Sequence, residues 1–193
     1  DDEKVYAYRK YFGIKPEDKV VMSVGWFFER KGILDFIDIA RKFPNVKFIW
    51  FGELPNVTTP QIIKDAVANA SDNVIFPGYV KGPIIQGAYN NADIFFFPSY
   101  EETEGIVVLE AFASHAQVLV RDIGVYDGWL EDKVNCYKGN NNEQFCELID
   151  KLLNHQLPST RCEGYQTAQG RSIDKIGIQL KHVYEHVLEM PMR

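Results

Sequence analysis

The sequence predicts an α/β protein, a Rossmann-like parallel sheet with helices on both faces. Short apolar runs of the kind found in strands buried on both sides recur along the chain, and the clearest are Lys19–Val24 and residues 47–51. Between these runs lie segments whose apolar residues follow a helical spacing, such as residues 33–43. Because strands alternate with helices throughout, we expect parallel strands joined by right-handed crossovers.

The remaining elements continue this alternation. An apolar stripe through Tyr6, Tyr8 and Phe12 predicts a first helix over residues 4–13, which ends at Gly13. Further strands are predicted at residues 73–76, 93–97, 117–120 and 136–137. Further helices are predicted at residues 60–70, 84–91, 105–115, 143–155, 159–170 and 172–190. The sequence contains no internal repeat, so the simplest organisation is one domain over residues 1–193.

Composition and charge exclude several classes of protein. A formal net charge of −6 leaves no basic stripe to neutralise a phosphate backbone, so a nucleic-acid partner is not expected. Apolar runs stay well short of the roughly 20 residues that span a bilayer. The three cysteines, Cys136, Cys146 and Cys162, lack the spacing of a metal site and are expected to be reduced thiols. These features predict a cytoplasmic protein.

The loops with the most informative residues all follow predicted strands. In a parallel α/β sheet, ligands bind outside the carboxyl ends of the strands. The loops expected at that edge are residues 25–32, 52–56, 77–83, 98–105 and 121–128. Their convergence on one edge predicts a single ligand site there.

The segment PSYEETEGIVVLEAF, residues 98–112, is the most informative of all. A buried strand ends at its proline, and a glycine turn at Gly105 then begins a helix whose first N–H groups form an anion site. Glu102 precedes the turn, and Glu110 lies about 7.5 Å further along the helix axis. A nucleotide-sugar has a matching layout of sugar, diphosphate and ribose. The alternative is a buried helix with a solvated acidic turn.

The loop GWFFERKG, residues 25–32, carries two adjacent cations between glycines. At the mouth of a strand, Arg30 and Lys31 are suited to hold a diphosphate leaving group and to stabilise the charge that develops on it. In isolation, such a pair is more often an ordinary feature of the surface.

A family resemblance favours the ligand-site interpretation. The residues that carry it are Pro98, Ser99, Glu102, Gly105, Glu110 and Ala111. Their order resembles the signature of retaining glycosyltransferases of the GT-B fold, family four. The resemblance extends to the first loop, where Lys31 and Gly32 lie at the family spacing from Gly25. Trp26 replaces the family arginine, so we expect Arg30 to supply the second cation from another position.

The resemblance implies roles for the central segment. Glu102 would hold hydroxyls of the donor sugar, and the backbone of Glu104 and Gly105 would lie near that sugar. The backbone of Ile106 and Val107 would lie near the phosphate. Glu104 departs from the family pattern, which has an aromatic residue there; the change matters little if only the backbone contacts the sugar.

The resemblance also implies a nucleoside subsite. Glu110 would accept hydrogen bonds from the ribose hydroxyls. The loop that begins at Pro77 resembles the family loop that holds the base, so Tyr79 and the Val80 backbone are expected to contact the base. A tyrosine in a turn is also often a packing residue. The resemblance implies no metal and no cofactor besides the donor substrate.

The resemblance covers one half of a GT-B enzyme, the C-terminal half that binds the donor. It implies a missing N-terminal domain, to which the helix at residues 172–190 would cross. The sequences of three segments, GWFFERKG, KFIWFGELP and PSYEETEGIVVLEAF, most resemble those of bacterial diacylglycerol glucosyltransferases. The implied donor is UDP-glucose, and the implied acceptor is a membrane lipid held by the N-terminal domain. The parent enzyme would then work at the inner face of the membrane, and this chain alone would transfer little.

Two interpretations from other classes remain. One is a non-catalytic nucleotide-binding or regulatory α/β module, which would bind UDP and UDP-glucose alike. The other is a complete small hydrolase or phosphatase, which needs a nucleophile with a paired base; Ser99 has no assignable histidine. His182 and His186 have a spacing that can bind metal, but no third ligand is evident. No glycine-rich dinucleotide motif follows the first strand, which disfavours NAD.

Overall fold

The computed structural model describes residues 2–189. Within them, the strands are β1 (Lys19–Val24), β2 (Val46–Phe51), β3 (Val74–Gly78), β4 (Ile94–Phe97), β5 (Val118–Arg121) and β6 (Tyr137–Gly139). The helices are α1 (Asp2–Phe12), α2 (Ile33–Ala40), α3 (Gln61–Ala68), α4 (Pro83–Asn91), α5 (Ile106–Ala113), α6 (Asn142–Leu153), α7 (Arg161–Gly170) and α8 (Ile173–Glu189). Two 3₁₀ turns, Glu29–Lys31 and Gly124–Tyr126, lie in loops that the sequence left without regular structure.

The strands form one parallel sheet in the order β3-β2-β1-β4-β5-β6. β1 lies at the centre, where Val21 is in register with Phe48 of β2 on one side and with Ile94 of β4 on the other. The chain therefore builds outward from β1 in one direction and then restarts beside it with β4. This reversal creates a topological switch point between β1 and β4, the place where ligands bind in such sheets. The predicted fold class is confirmed.

Helices cover both faces because the buried strands alternate their side chains between two cores. On one face, Val20 and Met22 of β1 pack in a core with Tyr8 of α1 and Phe112 of α5. On the other face, Val21 belongs to a core with residues of α2, α3 and α6. Most residues of the central strands are therefore apolar, which is why these strands appear in the sequence as nearly continuous apolar runs.

The observed bounds of the strands and helices lie close to the predicted ones, and β3 is a strand whose end differs from the prediction. It extends through Pro77 and Gly78, which the sequence assigned to a loop. β3 is the edge strand next to β2, so a proline is tolerated there without loss of a ladder hydrogen bond. Gly78 pairs with Phe51 and has a φ of 77°. This backbone conformation turns the chain out of the sheet at the edge where the site lies.

The final helix, α8, has no buried residue along Ile173 to Leu188. Its exposed apolar side chains include Ile173, Ile176, Ile178, Leu180, Val183, Tyr184, Val187 and Leu188. The expected crossing of this helix to another domain stays a prediction, and its predicted last residue, 190, lies outside the described residues. Within the described part of the chain, no helix combines the length and apolarity of a membrane span.

Candidate functional site

The site is built by the loops that follow β1 and β4, the two strands at the switch point. The backbone N–H of Tyr100 donates to the carbonyl oxygen of Arg30 at 2.7 Å, and the Ser99 hydroxyl donates to the same oxygen at 3.1 Å. Gly32 adopts a φ of 76°, and a Cβ there would collide with the carbonyl oxygen of Pro98. Glycine is therefore required at residue 32 because the two loops are in backbone contact.

Lys31 and Glu102 form an ion pair at the centre of the site. Lys31 Nζ lies 2.5 Å from Glu102 Oε1, and the two side chains are only 12% and 7% exposed. Lys31 Nζ also lies 5.7 Å from the ring centroid of Phe97, the last residue of β4. Two charges so far removed from water are held only because they neutralise each other. The sequence predicted both residues for the site but did not predict their contact.

The pair borders a cavity of about 330 Å³ at the switch point. Among the predicted site residues, the cavity is lined by Gly25, Lys31, Tyr79, Glu102, Glu104, Gly105, Ile106 and Val107. Trp26, in the position of the family arginine, also lines it and is 58% exposed. The aromatic side chain therefore lines the cavity at the position where the resemblance places the family arginine.

The N-terminus of α5 opens into this cavity. Gly105 has a φ of 80° and ψ of 40°, and no side chain in the described part of the chain caps the helix. Val108 N–H donates to the Gly105 carbonyl at 2.9 Å, whereas the N–H groups of Ile106 and Val107 precede the helical hydrogen-bond ladder. With Lys31 nearby, the helix N-terminus makes the cavity favourable for an anion.

A second cavity, of about 530 Å³, adjoins the first and shares Tyr79 with it. Val80 and Glu110, which are both among the predicted site residues, line it together with Tyr89 of α4. The Tyr89 hydroxyl donates to Glu110 Oε2 at 3.0 Å. Burial and the charge of Glu110 raise the pKa of Tyr89 well above 10.0, so the phenol remains a donor. Tyr79 is 75% exposed, and Lys81 Nζ lies 5.1 Å from its ring.

Arg30 is the one predicted site residue that borders neither cavity. Its guanidinium donates to the carbonyl oxygen of Glu101 at 3.3 Å and lies 5.6 Å from the ring centroid of Phe28. It diverges from Lys31 because both residues lie in a 3₁₀ turn, where adjacent side chains point about 120° apart. Its suggested role as the second cation stays a prediction that this geometry does not favour.

Sequence reasoning missed Arg121, at the end of β5. Its guanidinium donates to Asp35 Oδ2 at 2.7 Å, to the Pro98 carbonyl at 2.9 Å and to the Asn140 carbonyl at 2.7 Å. It also stacks against the ring of Tyr100 at 3.8 Å. Arg121 therefore fixes the start of the loop that carries Glu102. A charged residue directly after the apolar run VLV was the signal that pointed to it.

A metal-based alternative gains no support from the described residues. Residues 2–189 contain no group of three His, Cys, Asp or Glu side chains placed to hold a metal ion. His182 and His186 lie on the exposed surface of α8. The cysteines are free thiols.

The topology and the site together define the class of protein. A parallel six-stranded sheet with a cavity at its switch point, bordered by Lys31, Glu102 and the N-terminus of α5, has the architecture of one Rossmann-like half of the GT-B fold. The chain aligns with the Anabaena protein HepE, solved in complex with UDP-glucose, with a TM-score of 0.81 and 16% identity. The alignment covers 98% of this chain and 54% of that one, so the two share their fold.

Sequence comparison then gives the family. The model of glycosyl transferases group 1 matches residues 6–169, so the chain belongs to this family. It is 50% identical over 188 residues to the processive diacylglycerol alpha-glucosyltransferase of Acholeplasma laidlawii, covering 97% of this chain and 57% of that one. It is 31% identical to the alpha-galactosylglucosyldiacylglycerol synthase of Streptococcus pneumoniae, covering 80% of this chain and 41% of that one. The chain thus spans about half the length of these relatives.

Proposed function

We propose that this chain is the donor-binding domain of a retaining hexosyltransferase that moves glucose from UDP-glucose to a diacylglycerol-type lipid. One observation carries the proposal: Glu102, the N-terminus of α5 and Glu110 follow one another along two adjoining cavities. This order matches the order of sugar, diphosphate and ribose in a nucleotide-sugar. The name of the Acholeplasma relative supports glucose transfer to a diacylglycerol lipid, and that of the Streptococcus relative supports a glycolipid product. The UDP-glucose complex of the fold neighbour supports the donor.

In this proposal, Lys31 and the N–H groups of Ile106 and Val107 bind the diphosphate. They would stabilise the negative charge that grows on UDP as the bond to the sugar breaks. This positive charge comes from the protein, so the proposed reaction calls on no metal. Glu102 would accept hydrogen bonds from the sugar hydroxyls and orient the ring; we assign it no nucleophilic role. The backbone of Gly25, Glu104 and Gly105 would line the sugar subsite.

The second cavity would hold the nucleoside. Glu110, oriented by Tyr89, would accept hydrogen bonds from the ribose hydroxyls. Tyr79 and the Val80 backbone would contact the base at the open side of this cavity. The exposed Tyr79 ring offers a face for stacking, which is the arrangement that aromatic side chains use on bases.

The acceptor would be bound by a second, N-terminal domain. The exposed apolar side chains of α8 support this, because a helix with so many of them is stabilised by packing against another surface. In this arrangement, residues 1–193 form one donor domain and α8 crosses to its neighbour. A lipid acceptor would place the whole enzyme at the cytoplasmic face of the membrane.

Calorimetric titration of this chain with UDP-glucose, UDP and NADH tests the donor site. Lys31→Ala should lower the affinities of both UDP and UDP-glucose about tenfold or more, because it removes a charge-assisted contact to the diphosphate. Glu102→Ala should abolish the preference for UDP-glucose over UDP and leave UDP itself bound. NADH should not bind.

The Lys151–Glu147 pair on the exposed surface of α6 has the same 2.5 Å separation and provides matched controls. Lys151→Ala and Glu147→Ala should change no affinity. If the parent chain binds UDP and UDP-glucose equally and Glu102→Ala changes nothing, the chain is a nucleotide-binding module instead. If neither UDP compound binds, the proposal that this chain holds the donor by itself is wrong.

A further inference from the structure

Tyr126 places a buried hydroxyl beside the turn at Gly105, behind the first cavity. It ends the 3₁₀ turn after β5, in one of the loops at the carboxyl edge of the sheet, and its side chain is fully buried. Among residues 2–189, its hydroxyl oxygen has no hydrogen-bond partner. Burying an unpaired hydroxyl costs stability, so a fold that keeps one at its functional site calls for an explanation.

The hydroxyl faces the loop that carries Glu102. A Cβ added to Gly105 would lie 2.9 Å from the Tyr126 ring and 3.4 Å from its hydroxyl oxygen. Gly105 itself lines the first cavity, so the phenol lies directly beneath the turn at the start of α5. Burial and the charge of Glu102 raise the pKa of Tyr126 well above its ordinary value. The group therefore remains a protonated hydrogen-bond donor close to a carboxylate.

Glu102 needs a second hydrogen-bond donor if its carboxylate gives up the contact with Lys31. Its side chain is 7% exposed, and Lys31 is the cation that neutralises it in the structure. A donor sugar would draw the Glu102 carboxylate toward the sugar hydroxyls and away from Lys31, which would then bind the diphosphate alone. UDP without a sugar would leave the carboxylate beside Lys31. A carboxylate left buried without a partner would be strongly destabilised. A neutral hydroxyl that donates from below would compensate for this and keep the carboxylate aimed at the sugar.

We propose that Tyr126 is a positioning residue whose hydroxyl donates a hydrogen bond to Glu102 when that carboxylate leaves Lys31 to accept from the donor sugar. This rests on the proposed function, because it assumes that Lys31 binds diphosphate and Glu102 binds sugar. Tyr126 then governs how well the site distinguishes UDP-glucose from UDP, and it has no direct part in nucleotide binding.

The test measures the affinities of UDP and UDP-glucose for the parent chain, Tyr126→Phe and Tyr8→Phe. Tyr8 is the matched control, because its hydroxyl is also buried without a partner in the described residues but lies on α1, outside both cavities. Tyr126→Phe should lower UDP-glucose affinity about tenfold, the effect of one hydrogen bond to a charged group, with UDP affinity unchanged. Tyr8→Phe should change neither affinity. The Tm of both variants should stay level or rise, since each loses an unpaired buried hydroxyl.

A double-mutant cycle completes the test. In the Glu102→Ala background, Tyr126→Phe should have no further effect on UDP-glucose affinity, because the hydroxyl acts through that carboxylate. The proposal is wrong if Tyr126→Phe keeps the parent ratio of UDP-glucose to UDP affinity, or if Tyr8→Phe loses UDP-glucose affinity to the same extent. It is also wrong if the effects of Tyr126→Phe and Glu102→Ala on UDP-glucose affinity are additive. Failure of the parent chain to bind UDP would instead overturn the proposed function, and this proposal with it.

Discussion

Arg121 and Asp35 form a nearly buried ion pair that joins residues 86 positions apart in sequence. The pair links the end of β5 to α2, and the remaining donors of the guanidinium hold the Pro98 and Asn140 carbonyls. One side chain therefore fixes three segments around the loop that carries Glu102. The geometry of the candidate site depends on a residue that contacts neither cavity.

Replacing Arg121 should destabilise the fold substantially. Arg121→Ala leaves the Asp35 carboxylate without its cation and removes the arginine donors from two carbonyl oxygens, so we expect a loss of about 3 kcal/mol or more in the free energy of unfolding. Arg121→Lys should recover only part of it, because an ammonium cannot reproduce the planar fork. Urea unfolding followed by circular dichroism measures the free energy of unfolding of both variants. Lys151→Ala is the exposed control, and its free energy of unfolding should fall by less than about 1 kcal/mol. Equal stability of Arg121→Ala and the control would contradict this view.

Gly105→Ala should impair both the fold and the site. Its φ of 80° costs an alanine about 1 kcal/mol or more, and the new Cβ would press on the Tyr126 ring at 2.9 Å. We expect lower stability together with weaker UDP-glucose binding, because the N-terminus of α5 must shift. Gly170→Ala is the control: no heavy atom lies within 4 Å of the added Cβ and φ is not positive. A variant at Gly105 that binds and unfolds like the Gly170 control would show that the turn tolerates a side chain.

Tyr89→Phe should affect the nucleoside end of the site alone. It removes the 3.0 Å hydrogen bond that orients Glu110, so the affinities of UDP and UDP-glucose should fall together, by about three- to tenfold. The ratio of the two affinities should stay constant, in contrast to the effect expected for Tyr126→Phe. Titration of both ligands gives the answer. A change in that ratio would mean that Tyr89 acts on the sugar end.

Cys136 should make the protein less stable at alkaline pH. Burial raises the pKa of its thiol from 9.0 to about 12. Below pH 9 the thiol is protonated in both the folded and unfolded states and adds no pH dependence. Above pH 9 the unfolded state releases the proton first, so stability falls as pH rises, by up to about 1.4 kcal/mol per pH unit until about pH 12.

Urea unfolding between about pH 8 and 10 checks this prediction by comparing the parent chain with variants, because the tyrosines whose pKa is raised by burial contribute alike to each of them. Cys136→Ala should reduce the slope of stability against pH. A smaller slope should remain, because burial also raises the pKa of Cys146. Cys162→Ala, at an exposed position, should leave the slope intact. An unchanged slope in Cys136→Ala would show that the thiol titrates normally in the folded chain.

Much of the fold followed from local pattern. Lys19–Val24 has the predicted bounds because an apolar run of only 6 residues between turns is too short for a typical buried helix and is characteristic of a strand buried on both faces. α5 begins directly after Gly105 because a glycine at positive φ ends the preceding loop. The positions of Glu102 and Glu110 along the edge of the sheet follow from the same reasoning, since both are fixed relative to one strand and one helix.

Tertiary structure decided how those residues meet. Lys31 points into the cavity and Arg30 away from it, although they are adjacent and chemically alike in sequence. The choice depends on Glu102, 71 residues further along the chain. The positions of Tyr126, Tyr89 and Arg121 were likewise set by strand order and helix packing. Local periodicity shows which residues are buried, but the pairing of buried polar groups depends on contacts between distant segments, and these exist only once the sheet has formed.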